Sequence, residues 1–122
     1  MSIHESGENY LEEIFILSEQ KEKVRAVDLC AVLGFSRPTV SVMLRQLRED
    51  GFVTVAENGG IALTESGEAV ARRVYERHCI IAQLLMSLGV SRETAMEDAC
   101  KIEHDISDET FSKLRQYVEQ KD

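Results

Sequence analysis

Ala26-Val-Asp-Leu-Cys-Ala-Val-Leu-Gly34-Phe-Ser-Arg-Pro-Thr-Val-Ser-Val-Met-Leu-Arg-Gln-Leu-Arg-Glu-Asp-Gly51 reads as two helices joined by a tight turn. Val27, Leu29, Cys30, Val32 and Leu33 make a short, largely buried helix, and Gly34 supplies the left-handed backbone that ends it. Phe35 fills the corner. Ser36 caps the second helix, with Pro38 in the first turn, where a missing N–H costs little. Val40, Met43, Leu44 and Leu47 face inward, which leaves Arg37, Thr39, Ser41, Arg45, Gln46 and Arg48 outside. Two such helices, the second carrying short polar and arginine side chains near its start, form a helix-turn-helix pattern. The plainer reading is a helical hairpin with a solvated face. Phe52-Val-Thr-Val55, Ala56-Glu-Asn-Gly-Gly60 and Ile61-Ala-Leu63 weigh against it, because strand, tight turn and strand directly after such a helix make the wing of a winged helix.

Working outward, Met1 to Glu5 is a loose end, and Ser6 caps a helix at about 6–19 with Tyr10, Leu11, Ile14, Phe15 and Leu17 on its apolar face. After the wing, Thr64 opens a long helix reaching about Leu88. Ala71, Val74, Ile81, Leu85 and Leu88 form its apolar stripe, broken by His78. Ser91 and Ser107 each cap one further helix, the last with Phe111, Leu114 and Val118 inward. The fold class expected is mainly α: an N-terminal winged helix-turn-helix over residues 1–63, then an all-helical dimerisation and metal-binding domain over 64–122. The first helix is expected to pack against both.

With 122 residues, 43% hydrophobic and 30% charged, the composition is that of a globular chain. No apolar run approaches the ~18 residues of a spanning helix, and the N-terminus lacks a basic-then-apolar leader, so the expected location is cytoplasmic. Cys30, Cys79 and Cys100 are too few and too scattered for a disulfide framework or a zinc ribbon. The net charge of −8 argues against indiscriminate binding to nucleic acid or anionic membrane. Its distribution is uneven: between Lys23 and Arg48 five bases face one acid, whereas from Leu88 onward nine acids face five bases. That pattern fits a protein that touches phosphate with one surface only.

Cys100-Lys-Ile-Glu103-His104 carries a thiolate, a carboxylate and an imidazole at helical spacings of three and four, so the three project to one side of a helix. All are metal-ligand types, and such spacing can converge on one divalent cation. The alternative for the same residues is a solvated Glu-His pair beside a small core cysteine.

Tyr10-Leu-Glu-Glu-Ile14, Val24-Arg-Ala-Val-Asp-Leu29, Gly34-Phe-Ser-Arg-Pro-Thr-Val-Ser41, Leu47-Arg-Glu-Asp-Gly51, Leu63-Thr-Glu-Ser-Gly67 and Cys100-Lys-Ile-Glu-His104, in this order, resemble the diphtheria-toxin-repressor family, including its manganese-responsive branch. The resemblance spans nearly the whole chain and is to the short members, which lack a barrel-like third domain. It implies a homodimeric winged-helix repressor that takes a divalent metal as corepressor and recognises palindromic double-stranded operators. It also implies a metal-ligand set of Asn9, Glu12, His78, Cys100, Glu103 and His104. Asn9 departs from the family's methionine or aspartate. Cys100 matches the iron-responsive members, while Glu12 follows the other branch. The thiolate favours Fe(II) as effector, with Mn(II) as the other candidate. The family's ancillary site would use the positions of Ala82 and Met96, which are poor ligands; two ions sharing Glu12 and His78 are the alternative.

On DNA, Arg37, Thr39 and Ser41 are expected at the base edges, Pro38 against a thymine methyl, Ser36 and Arg45 on phosphates, and Asn58 at the wing tip. The function expected is metal-dependent repression of metal-uptake genes, with no membrane partner, no small organic substrate and no catalysis. The rival is a winged-helix regulator with a degenerate metal site, answering another signal or acting constitutively.

Overall fold

Local chemistry dictates the turn between the first pair of helices as expected. In the structure, a computed structural model that describes residues 5–120, α2 (Ala26–Leu33) ends at Gly34, whose φ of 74° is left-handed and whose N–H donates to the Cys30 carbonyl. Ser36 Oγ then accepts from the Thr39 N–H at 3.3 Å and starts α3 (Arg37–Glu49), with Pro38 in the first turn. At the front of α2 the Asp28 carboxylate accepts from the Arg25 N–H at 2.9 Å and from Lys21 Nζ at 2.8 Å. The Lys21 bond, and then the Arg25 N–H, hold the Asp28 carboxyl below the usual carboxylate range.

The hairpin follows at once. β1 (Val53–Val55) and β2 (Ile61–Leu63) pair antiparallel with Val53 opposite Leu63 and Val55 opposite Ile61. Gly59, at φ 86°, makes the reversal, and Asn58 Oδ1 accepts from the Gly60 N–H. Ile61 also donates its N–H to the Val24 carbonyl at 2.8 Å, so a residue ahead of α2 bridges to the wing.

Two compact units divide the chain between Arg72 and Arg73. In the first, α1 (Glu5–Gln20) contributes Tyr10, Leu11, Ile14 and Phe15 to a core completed by Leu29, Val40, Leu44, Leu47, Phe52, Val53, Ile61 and Ala71. The break falls within α4 (Glu65–Ser87), whose first turns belong to this core. Thr64 joins wing to helix: its hydroxyl donates to the Gly51 carbonyl at 2.6 Å and accepts from the Gly67 N–H. A Cβ on Gly67 would come within 2.0 Å of the Phe52 carbonyl oxygen, a backbone atom that cannot step aside. Gly67→Ala should therefore cost about 1–3 kcal/mol, read as a lower urea midpoint with an unchanged slope.

In the second unit the remainder of α4 meets α5 (Arg92–Ile102) and α6 (Asp108–Gln120). Ile81, Ala82 and Ala99 form the buried centre, with Leu85, Met86, Ile102, Ile106 and Leu114 around it. Ser91 and Ser107 cap α5 and α6 by accepting from the Thr94 and Thr110 N–H groups. Among the described residues no single helix is long and apolar enough to cross a membrane.

Some expectations shift. The loose end at Met1–Glu5 lies outside the described residues except for Glu5, which is already helical. Ser6 is inside α1 and does not cap it; Glu5 and Glu8 occupy its first turn, where the helix dipole favours anions. Phe35 is about half exposed, stacked on Tyr10 at 6.1 Å and 13° without filling a closed corner. Leu88 lies past the end of α4 and is exposed, so the apolar stripe stops at Leu85.

Candidate metal centre and nucleic-acid interface

Three donors converge in the second unit. His78 stands on α4, Cys100 in the last turn of α5, and Glu103 at its C-cap, and they bring ligand atoms within 4.8 Å of one another. His78 Nδ1 is 3.2 Å from Glu103 Oε2, and His104 Nε2 is 3.4 Å from Glu103 Oε1.

The expected placement of Cys100, Glu103 and His104 on one helix is only partly right, because α5 ends at Ile102. Glu103 keeps helical dihedrals (φ −58°, ψ −24°), and its N–H still donates to the Ala99 carbonyl at 3.0 Å, so the three-residue spacing from Cys100 holds in space. His104 lies in the following turn, which the Asp105 N–H tightens by donating to the Ile102 carbonyl. It adjoins the group through Glu103 without belonging to it.

Glu103 supplies the test of whether a cation fits. The residue is 2% exposed, and neither of its side-chain oxygens receives a hydrogen bond among the described residues. A buried carboxylate is costly unless positive charge or hydrogen bonds compensate it. An imidazole, a thiol and that carboxylate together are a ready donor set for a divalent first-row metal. Donors sharing one such ion lie about 3–4 Å apart, so the group needs only a slight closure.

Asn9 and Glu12 stand on α1, in the first unit, and are not part of this group; their candidacy rests on the family resemblance alone. Glu12 is buried and Asn9 half-buried. Ala82 is core, and Met96 is exposed, so neither supports an ancillary site.

Arg77 is a functional candidate that the sequence pattern did not single out. It is 5% exposed and donates from Nη1 to the main-chain carbonyls of Glu103 (3.1 Å) and Ile106 (3.0 Å), while Nη2 pairs with Asp108. Its guanidinium also lies over the Phe111 ring at 5.1 Å. One signal was available: Arg77 is three residues after Val74 and four before Ile81, on the buried face of α4.

The first unit carries the other surface. Ser36, Arg37, Pro38, Thr39, Ser41 and Arg45 are all exposed on α3 or at its cap. The Ser36 hydroxyl donates to Thr39 Oγ1 at 2.9 Å, so that pair is engaged in the cap. Between α3 and the wing runs a groove of about 680 Å³ lined by Arg25, Arg37, Arg45 and Arg48, with Asn58 at the wing; none of its lining residues is acidic. Arg25 and Arg48 were legible as part of a basic run and now have a place on the same concave surface.

Known proteins fit this geometry. "Iron dependent repressor, N-terminal DNA binding domain" matches residues 2–61, and "Iron dependent repressor, metal binding and dimerisation domain" matches residues 64–122. The chain is 38% identical over 112 residues to the transcriptional regulator MntR of Escherichia coli O6:H1, covering 92% of this chain and 72% of that one. The structure of the manganese regulator SloR superposes with a TM-score of 0.83 at 29% identity, over 98% of this chain and 55% of that one. A manganese-dependent transcriptional repressor in complex with manganese superposes with a TM-score of 0.85 at 28% identity, over 92% and 52%. The chain thus spans about half the length of the solved proteins it resembles.

Proposed function

Because the chain belongs to the iron dependent repressor family, whose two domains account for nearly all of it, we propose that it is a metal-dependent, DNA-binding transcriptional repressor of metal-uptake genes, acting as a homodimer on palindromic operators. It binds and does not catalyse. The observation that carries the reading is the convergence of His78, Cys100 and Glu103 in a chain whose other unit is a winged helix with an arginine-lined groove.

His78, Cys100 and Glu103 would hold the ion, with His104 beside them. When bound, the ion supplies the positive charge that the buried Glu103 carboxylate calls for. For repression, ion and operator must prefer the same arrangement of the protein, so each tightens the other by an equal factor. On the duplex, Arg37, Thr39 and Ser41 meet base edges, Pro38 meets a thymine methyl, and Ser36 and Arg45 meet phosphates, joined there by Arg25 and Arg48.

The ion is a divalent transition metal. Both solved neighbours are described as manganese regulators, which weights Mn(II); the soft Cys100 thiolate weights Fe(II), which we favour on that donor alone. Anaerobic titration should give Fe(II) and Co(II) at least about tenfold tighter binding than Mn(II), and Cys100→Glu should narrow that ratio. Equal affinities in the wild-type protein would remove the argument from the thiolate.

Selection from a random duplex library tests the function as a whole. With Mn(II) or Fe(II) it should yield a palindrome with half-sites about 34 Å apart, or a multiple of that spacing. The same palindrome recovered equally well in chelator would favour the constitutive reading.

A further inference from the structure

Arg77 and His78 are consecutive residues of α4, and both reach Glu103. The His78 imidazole lies 3.2 Å from the Glu103 carboxylate, while Arg77 Nη1 donates to the Glu103 main-chain carbonyl at 3.1 Å. Glu103 is thus gripped at both ends from a single helix. The same Arg77 nitrogen donates to the Ile106 carbonyl at 3.0 Å, so the whole turn from Glu103 to Ile106, which includes His104, is tied to α4 through one guanidinium.

A planar fork of five N–H groups can serve two carbonyls and a carboxylate together, which a lysine ammonium on its flexible stem cannot reproduce. Arg77 is nearly inaccessible to water, so its acceptors are not readily exchanged for solvent. None of these bonds occupies a metal-ligating atom of His78, Cys100 or Glu103. We propose that Arg77 is the positioning residue of the metal centre: by fixing the main chain of the turn it sets the Glu103 carboxylate against His78 and Cys100 before an ion arrives. The proposal rests on the reading of His78, Cys100 and Glu103 as a metal centre. Arg77 ligates nothing; it removes a reorganisation that binding would otherwise have to drive.

Arg77 also packs, and this can be separated from positioning. Its contact with the Phe111 face is matched on that ring by Arg115 at 5.4 Å, and the Phe111 side chain has no polar atom with which to hold the turn. Phe111→Leu therefore disturbs the packing and leaves the carbonyl clamp in place.

The test is anaerobic Co(II) titration of the full chain, following the thiolate-to-cobalt absorption, with thermal unfolding of each metal-free protein alongside. Cys100→Ser identifies the absorption band. Arg77→Met should bind Co(II) about 10–100-fold more weakly, with a weaker band at saturation. Arg77→Lys should fall between Arg77→Met and wild type. Phe111→Leu should lower the unfolding temperature yet keep Co(II) affinity within about twofold of wild type. Wild-type affinity and spectrum in Arg77→Met would overturn the proposal, as would an equal affinity loss in Phe111→Leu at the same drop in unfolding temperature. Should Arg77→Met not fold, Arg77→Lys decides, and unchanged affinity there overturns it. A wild-type protein that binds no Co(II) defeats the metal-centre reading itself, and this proposal with it.

Discussion

Glu103→Gln should remove the metal response while leaving the metal-free protein at least as stable as before. The wild-type side chain is fully shielded, and neither oxygen receives a hydrogen bond, so in the metal-free state its negative charge is held at a cost. Glutamine has nearly the same shape, carries no charge and offers a far poorer ligand. A ligand at one hundred times its dissociation constant stabilises the folded state by about 2.7 kcal/mol. Thermal unfolding with and without excess Co(II) or Mn(II) should show that gain in the wild-type protein and little of it in Glu103→Gln. If the variant keeps the whole metal-dependent gain, Glu103 is not a ligand.

The second large effect concerns the groove. Arg37→Ala combined with Arg45→Ala should weaken operator binding by about a hundredfold or more, on the basis of about 1–3 kcal/mol for each arginine removed from the duplex. Both side chains are exposed on α3 and line a groove with no acidic neighbour, so no lining residue offsets their charge there. Arg25→Ala with Arg48→Ala should instead weaken all duplexes alike and flatten the salt dependence by about 0.9 for each phosphate no longer neutralised. Fluorescence anisotropy across a salt series, with operator and scrambled duplexes, separates the two pairs. Metal-induced stabilisation should survive in both, and unchanged operator affinity in Arg37→Ala with Arg45→Ala would remove α3 from the interface.

The two surfaces were legible to different depths. The turn and the recognition helix could be read because Gly34, Ser36 and Pro38 act through their own backbone, within a few residues of where they stand. Cys100 and Glu103 could be paired because α-type geometry persists one residue past the end of α5, through the Glu103 N–H bond to Ala99. His104 shows where that logic stops, since one step further the chain turns. Arg77 was harder to find: its acceptors are main-chain carbonyls 26 and 29 residues later, and a carbonyl leaves no mark in the identity of its residue. Ser6 failed as a cap for the opposite reason: a good capping residue does not prevent a helix from starting earlier when the preceding residue is itself favoured in a first turn.

Ile61 is fastened on two sides, to Val55 within the hairpin and to Val24 ahead of α2. A flap of two three-residue strands would by itself be a marginal object, surrendering much conformational freedom on closing against a duplex. Stitched to a third segment, it comes to the sugar-phosphate rail already stiff. The loop from Ala56 to Gly60 is thereby insulated from the reading helix: its length and charge can be changed to alter how far the protein reaches along a site, while the geometry that discriminates one base from another stays untouched.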